Sequence, residues 1–136
     1  MYVFPTDKQI EEFTESDPDQ PVLMINLVRL RENAQYPENS DHGPCSGAKA
    51  FDTYVEMGTE IAEKVGGRIL VGESIQNIFI GPEDEKWDRF YLIWYPSMRM
   101  LLDLLSSPEF IALTIHRTAS VLDARMLKCD GSNLGL

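Results

Sequence analysis

Apolar and polar positions alternate with period two from Val22 to Val28, shift to a period near 3.6 from Phe51 to Val65, and return to period two after Arg68. The first kind of alternation puts successive side chains on opposite faces of a strand, and the second lays an apolar stripe along a helix. A tighter version of the same succession follows: a strand from Trp87 to Tyr95, two short helices in MRMLLDLLS and SPEFIALTIHRTAS, and a strand from Leu122 to Cys129. The boundaries are marked locally. Ser46 stands as N-cap of the long helix, and Gly66-Gly67 ends it, with one glycine expected in the left-handed region. Pro96-Ser97 closes one strand and caps the next helix, and Ser107-Pro108-Glu109 supplies a cap, a first-turn proline and an early acid. Ahead of these elements, Thr6 and Gln9 form a capping-box pair for a short helix carrying Ile10 and Phe13, which Asp17-Pro18 stops.

Two βαβ halves in tandem predict an α+β fold of the ferredoxin-like βαββαβ type, a four-stranded antiparallel sheet with both helices on one face, preceded here by an extra N-terminal helix. Residues 1–136 are expected to form a single domain, with 1–20 as a helical extension and 130–136 as a weakly anchored tail. The sheet face without helices is apolar and is expected to be covered by a second copy, so that a homodimer encloses an α/β barrel. On the first strand the all-aliphatic set Leu23, Ile25 and Leu27 is expected to meet the helices, which sends Val22, Met24, Asn26 and Val28 to the barrel side. On the third strand Tyr91, Ile93 and Tyr95 are expected under the helices and Phe90, Leu92 and Trp94 toward the barrel. The second strand is expected from about Arg68 to Ile80.

Between the first strand and its helix runs a 17-residue connection, Arg31 to Gly47, rich in Pro, Asn, Asp and Gly and without apolar period. Loops of that length in a compact domain tend to be lids or binding segments, and this one is expected to gate the barrel.

Composition narrows the function classes. Twelve basic against 22 acidic residues give a formal charge of −10, which disfavours nucleic acid and anionic membranes as partners. No apolar run approaches the roughly 20 residues of a membrane span, and MYVFPTDKQ lacks the basic and apolar regions of a secretory signal, so a cytoplasmic location is expected. Cys45 and Cys129 form no spaced cluster and are expected as free thiols.

The barrel is expected to hold a small-molecule site, apolar with a few polar groups. Asn26, Arg29 and His116 are the candidate catalytic residues: an amide to hold or polarise a substrate, a planar guanidinium for an anionic group, and an imidazole as base. Met24, Val28, Tyr54, Trp94 and Arg117 are the candidate pocket residues. Each has a plainer role beside the functional one: a structural hydrogen bond for Asn26, a surface ion pair for Arg29, solvation for His116, dimer packing for Trp94, helix packing for Tyr54, and an ion pair with Asp123 or Glu109 for Arg117. His42 and Cys45 sit three apart but two ligands do not make a metal site, so no metal and no cofactor are expected. No GxSxG elbow, phosphate-cradling glycine loop, HExxH or dinucleotide fingerprint occurs, which removes the commonest hydrolase, nucleotide and metalloprotease readings.

The segments GGRIL, FYLIWYPS, SSPEF, HRTAS and LDARML, in that order, resemble domain of unknown function 1330 in the dimeric α/β-barrel superfamily. The resemblance runs from Pro21 to about Leu127, with PVLMINLVRLR and AQYP similar to a longer branch that begins with an extra helix. It implies ferredoxin-like subunits paired through their open sheet faces, and Arg117 resembles a recurrent arginine of that family. It implies no particular reaction, because relatives include cofactor-free monooxygenases, muconolactone isomerases and haem enzymes. The expected function is therefore binding of a small, largely apolar molecule, with cofactor-free oxygenation or isomerisation as the enzymatic form. The alternative is a non-catalytic dimeric structural or protein-interaction module.

Overall fold

A computed structural model describes all residues, 1–136. The elements in chain order are α1 (Asp7–Thr14), β1 (Val22–Leu30), α2 (Gly47–Lys64), β2 (Arg68–Ser74), β3 (Arg89–Tyr95), α3 (Met98–Ser106), α4 (Pro108–Ser120) and β4 (Val121–Asp130). All four strands pair antiparallel in the order β2-β3-β1-β4, the ferredoxin-like arrangement.

Local chemistry sets the boundaries. The Thr6 hydroxyl accepts from the Gln9 amide while the Gln9 side chain accepts from the Thr6 amide, closing the capping box of α1. Ser46, Ser97 and Ser107 each accept the amide three residues on, from Lys49, Met100 and Phe110. Gly66 ends α2 at φ 84°, in the left-handed region. β2 stops at Ser74, short of Ile80, and residues 75–88 cross to β3 without regular structure.

Directly paired residues of neighbouring strands share a face. Val22 pairs with Tyr95, Met24 with Ile93, and Asn26 with Tyr91. This face lies under the helices: Val22, Met24 and Tyr95 pack with Ala62 of α2 and Met98, Leu101 and Leu104 of α3. Val28 and Tyr91 pack with Phe51 of α2 and Val121 of β4. The covered set on β1 is thus Val22, Met24, Asn26 and Val28, the reverse of the sequence expectation. Leu23, Ile25 and Leu27 look out from the open side. Both β1 faces are apolar, so period two alone could not rank them; the contest is decided by register to β3, where Tyr91 and Tyr95 do lie under the helices as expected.

Phe90, Leu92 and Trp94 occupy the open side with Leu23, Ile25 and Leu27. Trp94 is nonetheless only 6% exposed, because the start of the tail folds over it. Its indole donates to the Gly131 carbonyl at 3.0 Å, and the Gly131 amide donates to the Pro21 carbonyl at 2.9 Å. The tail is therefore anchored at Gly131. At the opposite terminus, Tyr2 runs beside β4: its amide donates to Asp123 Oδ1 and its carbonyl accepts from the Ala124 amide. No helix is long and apolar enough to cross a membrane.

Candidate functional site

The two packed clusters sit at opposite ends of the covered face, and between them is a cavity of about 110 Å³. Met24, Ala62, Tyr95, Leu101 and Leu104 line it from one cluster and Val28, Phe51 and Tyr91 from the other. Its cause is legible in α2. At ~100° per residue, Phe51, Gly58 and Ala62 fall within about 40° of one another on the stripe facing the sheet. Gly58 stands at the centre of that stripe, where a large side chain would otherwise fill the space, and a Cβ built on it meets nothing within 4 Å. Thr59, beside it, turns its hydroxyl back to the Val55 carbonyl at 2.7 Å.

Five of the expected site residues converge here: Met24, Asn26, Val28, Tyr54 and Arg117 all line the cavity. Asn26 comes from the middle of β1, between Met24 of one cluster and Val28 of the other. Arg117, in the last turn of α4, donates from Nη1 to the Val3 carbonyl at 2.8 Å. The carboxylates proposed for it from sequence are engaged elsewhere: Glu109 with Lys64 at 3.7 Å and Asp123 with Arg125 at 2.7 Å. Burial pulls the guanidinium below its ordinary value, opposed by the nearby Tyr54 phenol. Burial pushes Tyr54 up, with the Arg117 charge drawing it partly back. Burial also pushes Tyr95 up, helped by Tyr54. Both phenols stay protonated at neutral pH and are available as hydrogen-bond donors.

Arg29, Trp94 and His116 lie elsewhere. Arg29 and Trp94 belong to the open face. His116 is buried on another side of α4, against the long connection, where its Nδ1 and the Tyr36 hydroxyl share a hydrogen bond of 2.7 Å. The His42 ring stacks on Tyr36 and meets His116 edge-on, both at centroid distances of 4.7 Å. Desolvation lowers the His116 pKa from its ordinary value, and His42 lowers it further. The connection is pinned rather than swung over the cavity. The Arg31 and Gln35 amides donate to the Ser120 and Ala119 carbonyls, both at 2.8 Å, so they close the C-terminal end of α4. None of residues 31–47 lines this cavity, which lies under the helices and is not the barrel between subunits that the connection is expected to gate. Tyr36 and His42 were missed as partners of His116 because nothing local links positions 74 or more residues apart. Gly58 and Thr59 were missed too, although two small residues on a core stripe are a readable sign of room.

A second, open depression is lined by Arg31, Glu32, Ser46, Lys86, Asp88 and Arg89, with Arg31 Nε buried and without a partner. Arg89 there is tied to Asp52 at 2.7 Å. No group of three or more His, Cys, Asp or Glu side chains is placed to hold a metal ion, and Cys45 and Cys129 are free thiols.

No protein-family profile matches the chain, and no curated protein does. Among solved structures, methylated RPA0582 protein is 30% identical, with 99% of this chain and 98% of that one covered, at a TM-score of 0.88. A second crystal structure of RPA0582, a protein of unknown function from Rhodopseudomonas palustris, gives 30% identity over 95% of both chains and a TM-score of 0.86. The chain belongs to the RPA0582 family. An uncharacterized NIPSNAP-like domain protein from Burkholderia xenovorans, 18% identical over 87% of this chain and 90% of its own with a TM-score of 0.53, shares the fold alone. Full-length coverage means that the N-terminal helix and the β4 strand of this chain both have counterparts in RPA0582, so the extension is a family feature and not an addition peculiar to this sequence.

Proposed function

We propose that this member of the RPA0582 family binds a small, largely apolar organic molecule between α2, α4 and the sheet, and works as a homodimer paired through the open sheet faces. The observation that carries the reading is the cavity at Gly58, whose mostly apolar lining includes Asn26, Tyr54 and Tyr95 from three different elements. An apolar chamber with a few convergent polar groups is the usual form of a small-molecule site. The ligand position differs from the sequence expectation: it lies inside each subunit, under the helices, and not between subunits.

The dimer is supported by the open face. Leu23, Ile25, Leu27, Phe90 and Leu92 lie side by side on it, each half-buried, and Phe79 and Ile80 in the 75–88 connection are 97% and 89% exposed. A surface of this kind marks an interaction site. The resemblance of GGRIL, FYLIWYPS and HRTAS to domain of unknown function 1330, and through it to dimeric α/β barrels, supports the same pairing. As an enzyme the protein would run cofactor-free chemistry at Asn26, Tyr54 and Arg117, which share the chamber. Arg29 and His116 have no place in that step.

Titration with benzyl alcohol, followed by NMR at the Val28 and Val55 methyls, tests the chamber. Shifts in the wild type that vanish in Gly58→Leu are expected; a probe that moves no methyl in the wild type overturns the reading and leaves the non-catalytic module. Light scattering tests the dimer: Leu92→Asp is expected to give monomers from a dimeric wild type, and a monomeric wild type at micromolar concentration overturns the pairing.

A further inference from the structure

The chamber carries a charge that nothing in the protein neutralises. Of 22 acidic residues in a chain of net charge −10, none lines it, while two arginines do. Arg125 is matched by Asp123 at 2.7 Å and also lies over the Tyr2 and Trp87 rings at 5.0 and 5.1 Å. Arg117 has one backbone carbonyl, that of Val3, and no ion pair: the five in the structure are Lys8–Glu12, Lys64–Glu109, Arg89–Asp52, Arg99–Asp19 and Arg125–Asp123. Arg117 is half-buried, and a guanidinium partly withdrawn from water without a counter-charge is costly, where proteins ordinarily pair such groups. The fork of Arg117 has five N–H donors, of which the Val3 carbonyl takes one.

We propose that the ligand of this chamber is a small organic acid whose carboxylate is held by Arg117, with the Tyr54 hydroxyl as a further donor and the hydrocarbon part lying against Phe51, Val55 and Tyr91. The proposal rests on the reading of the chamber as a binding site. A planar carboxylate matches the remaining donors of the fork, and the protonated Tyr54 phenol beside it adds a hydrogen bond to the same anion. Asn26, on the sheet side, offers both a donor and an acceptor for a second polar group of the ligand. Size limits the rest of the molecule. At about 110 Å³ the chamber is smaller than the ~150 Å³ apolar cavity that accommodates benzene, which limits the hydrocarbon part to at most one small ring or a short branched chain and excludes a long acyl tail.

Benzoate and benzyl alcohol share the ring and differ in charge, which makes them the probes. Calorimetric titration of wild type, Arg117→Met, Arg117→Lys and Gly58→Leu, with the Val28 and Val55 methyls followed by NMR, separates the two ideas. Benzoate is expected to bind wild type more tightly than benzyl alcohol and to weaken roughly tenfold to a hundredfold in Arg117→Met, the range of a charge-assisted hydrogen bond. Benzyl alcohol should bind Arg117→Met as it binds wild type. Arg117→Lys, which keeps the charge but not the fork, should fall between, and it stands in if the Met variant does not fold. Equal affinity of the two probes for wild type, or equal weakening of both in Arg117→Met, overturns the carboxylate while leaving the chamber. Failure of both probes in wild type overturns the chamber and the carboxylate together.

Discussion

His116 and Arg117 are neighbours on one helix, and the two sides of α4 that they serve are built on opposite terms. On the His116 side the side chains and the helix end are tied within the chain: the imidazole Nδ1 shares a hydrogen bond with Tyr36 and meets His42 edge-on, and the last carbonyls of the helix accept from Arg31 and Gln35. On the Arg117 side the packing opens into a chamber, with Arg117 short of a counter-charge. A region that satisfies itself is structural, whereas one that holds polar ends over an apolar space has been left ready for something else. Tied partners explain the long connection as a brace across the end of α4, and His116 belongs to that brace and not to the lining of the chamber.

The sharpest test of the difference is Phe51→Ala. Phe51 is part of the core beside the chamber, so its truncation should cost about 3–5 kcal/mol in urea denaturation and should enlarge the space for a ring. If the loss were under about 1 kcal/mol, the cluster would not be the packed wall described. His116→Ala comes next. It leaves the Tyr36 hydroxyl unpaired and removes a ring from the brace, for a loss of roughly 1–3 kcal/mol, without any change in benzoate affinity. A fall in benzoate affinity would mean that the two sides of α4 communicate.

The brace should also respond to pH. The unfolded imidazole takes a proton at its ordinary 6.5, and in the fold burial and His42 make it harder to charge. Protonation therefore favours the released connection: the brace is at full strength above that value and weakens as pH falls through it and below. After correction for the intrinsic exchange rate, the protection factors of the Arg31 and Gln35 amides should fall below pH 6.5 in wild type and lose that dependence in His116→Gln. The smallest effect belongs to Arg117→Met. Removing an unmatched charge offsets the lost bond to Val3, so stability should stay within about 1 kcal/mol of wild type or rise. A larger loss would show that Arg117 holds the fold together, and the contrast between the two sides would disappear.

How much of this was open to reading depended on range. Thr6 with Gln9, Ser46, Ser97 and Ser107 act within three residues, and each does at its helix start what its position in the sequence implies. Of the eight candidates expected in a barrel between subunits, five line the chamber under the helices instead. Met24, Asn26, Val28, Tyr54 and Arg117 do come together, but Trp94 and Arg29 lie across the sheet and His116 on another side of its helix. The reason is that alternation sorts side chains into two sets without saying which set is covered. Because alternation moves residues as a set, Asn26 stays with Met24 and Val28 whichever face of β1 is covered.

By itself the sequence determined the order of elements, the caps that begin each helix, the glycine that ends α2, and the antiparallel four-stranded plan, because these rest on interactions between residues close along the chain and on period. Tertiary structure alone decided which face of β1 is covered, that Tyr36 and His42 reach His116, that Glu109 and Asp123 are spent on other partners, and that a chamber opens at Gly58. Those outcomes depend on how α2 and α4 sit over the sheet, and their energies are set by contacts between residues far apart in sequence, where neither period nor local propensity has any hold.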